Sequence, residues 1–129
     1  MTAWRWLTID SILAVHDRQL AEHGGPSGVK DISLLESALA RPLNRVAYED
    51  PDGARLAADY AFGIARNHPF VDGNKRTAWV AARLFLRLNG LALQVDKAEA
   101  TNMVLALAGD ELSEDQLTAW FRERLAAPA

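Results

Sequence analysis

The chain has 129 residues, half of them apolar and about a quarter charged, with a formal net charge of -3 and no cysteine. That length predicts a single domain over residues 1–129, able to bury about two-thirds of its unfolded surface in one core. Lack of cysteine excludes a disulfide framework, a thiolate metal site and a cysteine nucleophile; the acidic balance argues against direct DNA binding; and no apolar run reaches the roughly 18 residues needed to cross a membrane.

In chain order, Thr8 is placed to cap a helix from about Ile9 to Glu22, ended by Gly24-Gly25-Pro26. Asp31 caps a short second helix through about Ala40, which Pro42 is expected to stop. Pro51 or Asp52 opens a third, in which Leu56, Ala57, Tyr60, Ala61 and Ile64 recur at helical spacing. Pro69 biases His68 away from the α region, so this helix should end near Asn67 or His68. A fourth begins near Asn74, carries Ala78, Ala81, Ala82, Phe85 and Leu88 on one stripe, and runs to the capping pair Asn89-Gly90. Asp96 with Glu99, and Ser113 with Gln116, have capping-box spacing and start a fifth helix through about Ala108 and a sixth through about Leu125. With strand signals nearly absent and no internal repeat, the pattern predicts an all-α, compact bundle of about six helices. Ile12, Val15, Leu20, Leu117, Trp120 and Phe121 are expected to supply part of its core.

Between the third and fourth helices, residues 66–77 read Arg-Asn-His-Pro-Phe-Val-Asp-Gly-Asn-Lys-Arg-Thr, the densest collection of chemically capable side chains in the chain. Asp72-Gly73 is a turn pair, and Gly73 is free to take a positive φ. The helix that starts at Asn74 turns its first unpaired amides toward the loop. With the helix dipole, Lys75 and Arg76, these amides form an anion site suited to phosphates. A lone carboxylate beside phosphates, here Asp72, is the usual holder of Mg²⁺, which keeps most of its waters. His68 is an imidazole at the mouth of the loop and is suited to accept a proton from an attacking hydroxyl. Phe70 reads as the anchor of the loop into the core.

Other residues carry less. His16 sits among apolar neighbours on the first helix and reads as a satisfied buried or boundary histidine, while His23 reads as a helix-end residue. The three histidines show no zinc-type spacing. Arg66 is placed either to orient a phosphate or substrate group or to form a structural salt bridge. Trp4, Trp6 and Trp79 lack interleaved basic residues and read as packing or partner contacts.

The run His68-Pro-Phe-Val-Asp72-Gly-Asn74-Lys75-Arg76 resembles the signature of the Fic/Doc superfamily, specifically its Doc (death-on-curing) toxin branch. His16-Asp17 before Gly24-Gly25, Val46-Ala47-Tyr48-Glu49, Arg66, and Leu84 to Gly90 are Doc-like in order and spacing, so the resemblance covers nearly the whole chain. It implies a toxin of a type II toxin-antitoxin pair, with a Phd-like antitoxin as partner. It further implies a protein kinase that moves the γ-phosphate of ATP, with Mg²⁺, to a threonine of elongation factor Tu and so inhibits translation. By the same resemblance the catalytic residues are His68, Asp72, Lys75 and Arg66, the phosphate cradle is Gly73, Asn74, Lys75 and Arg76, and the metal ligand is Asp72. Family members that transfer AMP carry glycine where this chain has Lys75, and a long cation there implies the reversed nucleotide. Nucleotidyl transfer, and a binding module that uses the loop for a phosphorylated ligand, stand as alternatives. The N-terminus has no signal-peptide pattern, and a cytoplasmic location is expected.

Overall fold

The computed structural model describes residues 3–109 and 111–126. Among these residues the chain forms six helices, α1 (Ile9–His23), α2 (Ile32–Val46), α3 (Gly53–Asn67), α4 (Asn74–Leu88), α5 (Lys97–Ala108) and α6 (Glu114–Arg124). The all-α expectation holds. Polar side chains start the helices as the sequence indicated: Thr8 caps α1, Asp31 α2, Asp52 α3, Asp96 α5 and Ser113 α6, each accepting a hydrogen bond from an amide of the first turn.

Helix α3 is the central rod. Its small residues let neighbours approach closely: a Cβ at Gly63 would lie 3.3 Å from Ala38 of α2, so the two helices cross there backbone to backbone. Ala54, Ala57, Ala58 and Ala61 are likewise fully buried. Helix α4 runs alongside α3, α1 covers α4, and α2 and α6 pack on α3. Trp4, Trp6 and Tyr60 surround Phe85, and Trp79 packs against Trp120 and Phe121, so the tryptophans singled out in the sequence are packing residues, Trp79 within the core and Trp4 and Trp6 half-buried against it. After α4 the chain turns at Gly90 and runs back, where Leu93 forms an isolated antiparallel bridge with Leu125. No described helix is long and apolar enough to cross a membrane.

One boundary differs from expectation. Pro42 does not stop α2; it lies buried inside the helix, which continues to Val46. A proline in a helix interior removes one backbone hydrogen bond and costs about 3 kcal/mol. The extra turn offsets this by carrying Arg45 to a buried carboxylate: Arg45 grips Asp59 of α3 with two hydrogen bonds of 2.7 and 2.9 Å and reaches Glu114 of α6 at 3.0 Å. Arg41 adds a 2.7 Å ion pair to Glu114. The cluster therefore fastens α2, α3 and α6 together. Burial pushes the Asp59 carboxyl up to about 6 against the pull of Arg45. Burial also acts on Glu114, but its hydrogen bond with Asp59 and the guanidinium of Arg41 hold it down to about 2. The two carboxyls thus hold one proton between them across the mildly acidic range.

Candidate active site

The loop between α3 and α4 is held at each of its ends. Helix α3 stops at Asn67 because His68 enters the left-handed region, at φ 51 and ψ 55, and closes the helix with its amide on the Ile64 carbonyl, 3.2 Å away. His68 is the one non-glycine residue with positive φ among those described. Such a conformation costs on the order of 1–3 kcal/mol and persists only where the surroundings fix it. Here Asn67 Nδ2 donates to the Leu34 carbonyl at 2.9 Å, and Pro69 and Phe70 are buried. Phe70 is the anchor expected: its ring stacks on His16 of α1 with centroids 3.8 Å apart, and its backbone pairs with Val29 in the α1–α2 connection.

Asn74 holds the loop from the other side. Its Oδ1 accepts from the Phe70 amide and its Nδ2 donates to the Phe70 carbonyl, both at 2.9 Å. Those two bonds fix which end of the amide is which, since exchange would set donor against donor. Nδ2 therefore also donates to His68 Nδ1, 3.2 Å away. An accepting Nδ1 leaves the proton of the neutral ring on Nε2, so the exposed face of His68 presents an N–H in the resting loop.

Asp72 is exposed, yet oriented on several sides. Its carbonyl accepts from His16 Nε2 at 2.7 Å, and its Oδ1 accepts from the Gly73 amide at 2.8 Å. Gly73 takes φ 77 and starts α4 with no side-chain cap. The first intrahelical bond runs from the Thr77 amide to the Gly73 carbonyl, so by helix geometry the amides of Asn74, Lys75 and Arg76 have no intrahelical acceptor. This is the anion-binding end of a helix. Lys75 is half-buried and has no hydrogen-bond or ion-pair partner among the described residues. Arg76 lies over His23 at the end of α1, with Nη1 3.1 and 3.2 Å from the ring nitrogens.

The structure thus gathers His68, Asp72, Gly73 and Asn74 into one braced loop and sets Lys75 and Arg76 on the turn that follows. Two expected roles change in detail. The Asn74 side chain is fully occupied in shaping the loop, and the Gly73 amide is bonded to Asp72, which leaves the amides of Asn74, Lys75 and Arg76 for an anion. Arg66 stacks on Phe62 one turn earlier in α3, at 4.8 Å, and donates to the Leu112 carbonyl at 3.2 Å, a contact that ties α3 to the α5–α6 connection.

Among the described residues no three His, Asp or Glu side chains cluster as a metal cage. Asp72 still fits Mg²⁺, whose preference for oxygen and retained water needs one or two carboxylates beside substrate phosphates. Its carboxylate rests in a cradle that a Cβ at Gly25 would fill. Sequence reasoning missed both distant braces of Asp72, His16 on its main-chain carbonyl and Gly25 beside its carboxylate. His16 had a signal, because a histidine within an apolar stripe must find a polar partner when buried; Gly25 had none beyond its position after α1.

A family model described as the Fic/DOC family matches residues 6–86, a span that includes the whole loop. The chain is 36% identical over 110 residues to protein kinase doc of Escherichia phage P1, an alignment covering 84% of this chain and 86% of that protein. It is also 48% identical over 82 residues to toxin Doc of Mycolicibacterium smegmatis (strain ATCC 700084 / mc(2)155), covering 59% of this chain and 63% of that relative.

Proposed function

This chain belongs to the Fic/DOC family, and on that premise we propose that it is a toxin acting as a protein kinase, transferring the γ-phosphate of ATP to a threonine hydroxyl of elongation factor Tu. The observation that carries this reading is the uncapped start of α4, with Lys75, which has no partner among the described residues, on its first turn and His68 and Asp72 in the preceding loop. A relative named as a protein kinase supports the direction of transfer.

In this reading the amides of Asn74, Lys75 and Arg76, with the side chains of Lys75 and Arg76, bind the triphosphate and stabilise charge that develops on the transferred group. Asp72 holds Mg²⁺. Once bound, that ion neutralises phosphate charge and orients the nucleotide. Lys75 takes the space where AMP-transferring relatives have glycine and so sets the γ-phosphate, not the α-phosphate, at the point of attack. His68 receives the proton of the threonine hydroxyl as its oxygen bonds to the γ-phosphorus and the bond to the bridging oxygen of ADP breaks. Since Nε2 carries the proton in the resting loop, His68 must first release Asn74 and turn a free nitrogen toward the hydroxyl. The 3.2 Å contact is the longest of the three that Asn74 makes, and so the one most readily given up. Cytoplasmic action, paired with a Phd-like antitoxin, completes the proposal.

Intact mass of purified elongation factor Tu after incubation with the chain, ATP and Mg²⁺ tests it. A gain of one phosphoryl group is expected. A gain of one adenylyl group would replace the kinase by a nucleotidyl transferase, and an unchanged mass with tight nucleotide binding would favour a binding module.

A further inference from the structure

We propose that Gly25, at the end of the first helix, is a positioning residue for the Asp72 carboxylate: the side chain it lacks is the space that Asp72 Oδ2 occupies. The inference rests on the reading of Asp72 as the residue that holds a divalent cation.

A Cβ built on Gly25 would overlap Asp72 Oδ2 outright, and would lie 3.4 Å from Asp72 Cγ and 3.6 Å from Leu20 Cδ2. The carboxylate is therefore confined at both of its oxygens, and the main chain that carries it is held at a third point. His16 of α1 holds the Asp72 carbonyl at 2.7 Å, the Gly73 amide holds Oδ1 at 2.8 Å, and the Gly25 backbone closes on Oδ2. The Gly25 end of this brace is itself tied to the loop. The Lys30 and Asp31 amides donate to the Pro69 carbonyl at 2.8 and 3.1 Å, and the Val71 amide donates to the Gly28 carbonyl at 3.1 Å. A carboxylate held so closely has one orientation to offer a cation, and groups that fix a ligand's orientation govern metal affinity although they never touch the metal.

The neighbouring glycine supplies a matched control. Gly24 also has a positive φ, 78 against 113 for Gly25, but a Cβ there meets nothing within 4 Å. Both positions are exposed. Gly24→Ala and Gly25→Ala therefore each strain the backbone, and Gly25→Ala alone displaces the carboxylate.

The test uses ¹⁵N-labelled full chain without metal, followed by Mn²⁺ binding, read by electron paramagnetic resonance, in the presence of a non-hydrolysable ATP analogue. Gly25→Ala should shift the Gly73 amide resonance, because its acceptor moves, whereas Gly24→Ala should leave it in place. Gly25→Ala should also weaken Mn²⁺ binding by about 10- to 100-fold, and Gly24→Ala should not. Equal shifts of the Gly73 amide in both variants, or in neither, would overturn the proposal. So would wild-type Mn²⁺ affinity in Gly25→Ala where Asp72→Asn has lost it. If Asp72→Asn itself binds Mn²⁺ like the wild type, the metal reading fails separately, and the Gly73 amide decides the positioning role. Should Gly25→Ala not fold, the Gly25 resonances of Asp72→Asn serve in its place: they move if the carboxylate lies on Gly25, and their staying put overturns the contact.

Discussion

Replacing Asn74 by alanine removes three hydrogen bonds at once and leaves the Phe70 amide and carbonyl without the partner that satisfies them. Phe70 is 1% exposed, so water does not readily replace what is lost. Each buried backbone group left unpaired costs about 1–3 kcal/mol, and two of them, partly relieved by shifts of the loop, place the loss at about 2–4 kcal/mol. For 129 residues the unfolding entropy is about 0.27 kcal/mol/K, so the melting temperature should fall by about 7–15 °C. Circular dichroism melts of wild type and Asn74→Ala read this directly. Hydrogen exchange of the Phe70 amide locates it, and should rise more in the variant than exchange in the middle of α3. A variant that melts within about 2 °C of wild type, with an unchanged Phe70 amide, would refute the role given to Asn74 as the clamp of the loop.

Other expectations follow from the same geometry. His68→Ala should lower transfer to the target protein by about 100- to 10,000-fold while leaving nucleotide binding near wild type, because the helix amides and cations remain; wild-type turnover would remove His68 from the chemistry. Nitrogen chemical shifts of the neutral His68 ring should report the Nε2–H tautomer, and an Nδ1–H ring would contradict the Asn74 contact. The Asp59 carboxyl, raised to about 6 in the fold and near 3.9 when unfolded, binds more protons in the native state between those values. Native stability should therefore fall as pH rises from about 4 to 6, by on the order of 1–3 kcal/mol, and Asp59→Asn should abolish that part of the slope. Urea unfolding of both proteins across this range checks it, with parallel curves as the contrary result. Glu114, held low, acts in the opposite sense below about pH 4.5, where stability is lost as pH falls.

Helix starts were legible because each depends on a side chain acting on its own neighbours. Thr8, Asp31, Asp52, Asp96 and Ser113 bond to amides two or three residues on, a rule that needs no tertiary information. The end of α2 was not legible. Pro42 argues locally for a stop, and only the distant partners of Arg45, on α3 and α6, keep the helix going. The loop shows the same division. His68, Asp72 and the start of α4 could be read from residue types and spacing, whereas the use of the Asn74 side chain depends on where the chain folds back. Asn and its Phe70 partner are four residues apart, and sequence alone offers a loop amide as readily to a ligand as to its own backbone. His16 and Gly25 act from 56 residues away or on a carboxylate across a loop, and no local rule reaches them.

The account depends most on Lys75 directing the γ-phosphate toward the acceptor. Elongation factor Tu should be incubated with wild-type chain and Mg²⁺ in parallel with ATP radiolabelled at the α-phosphate or at the γ-phosphate, and the same pair repeated with Lys75→Gly. Label should pass from the γ-position alone in wild type, and in Lys75→Gly that transfer should drop by more than the removal of one exposed charge explains. Labelling of the target from the α-position by wild-type protein would contradict the kinase reading and establish nucleotidyl transfer in its place.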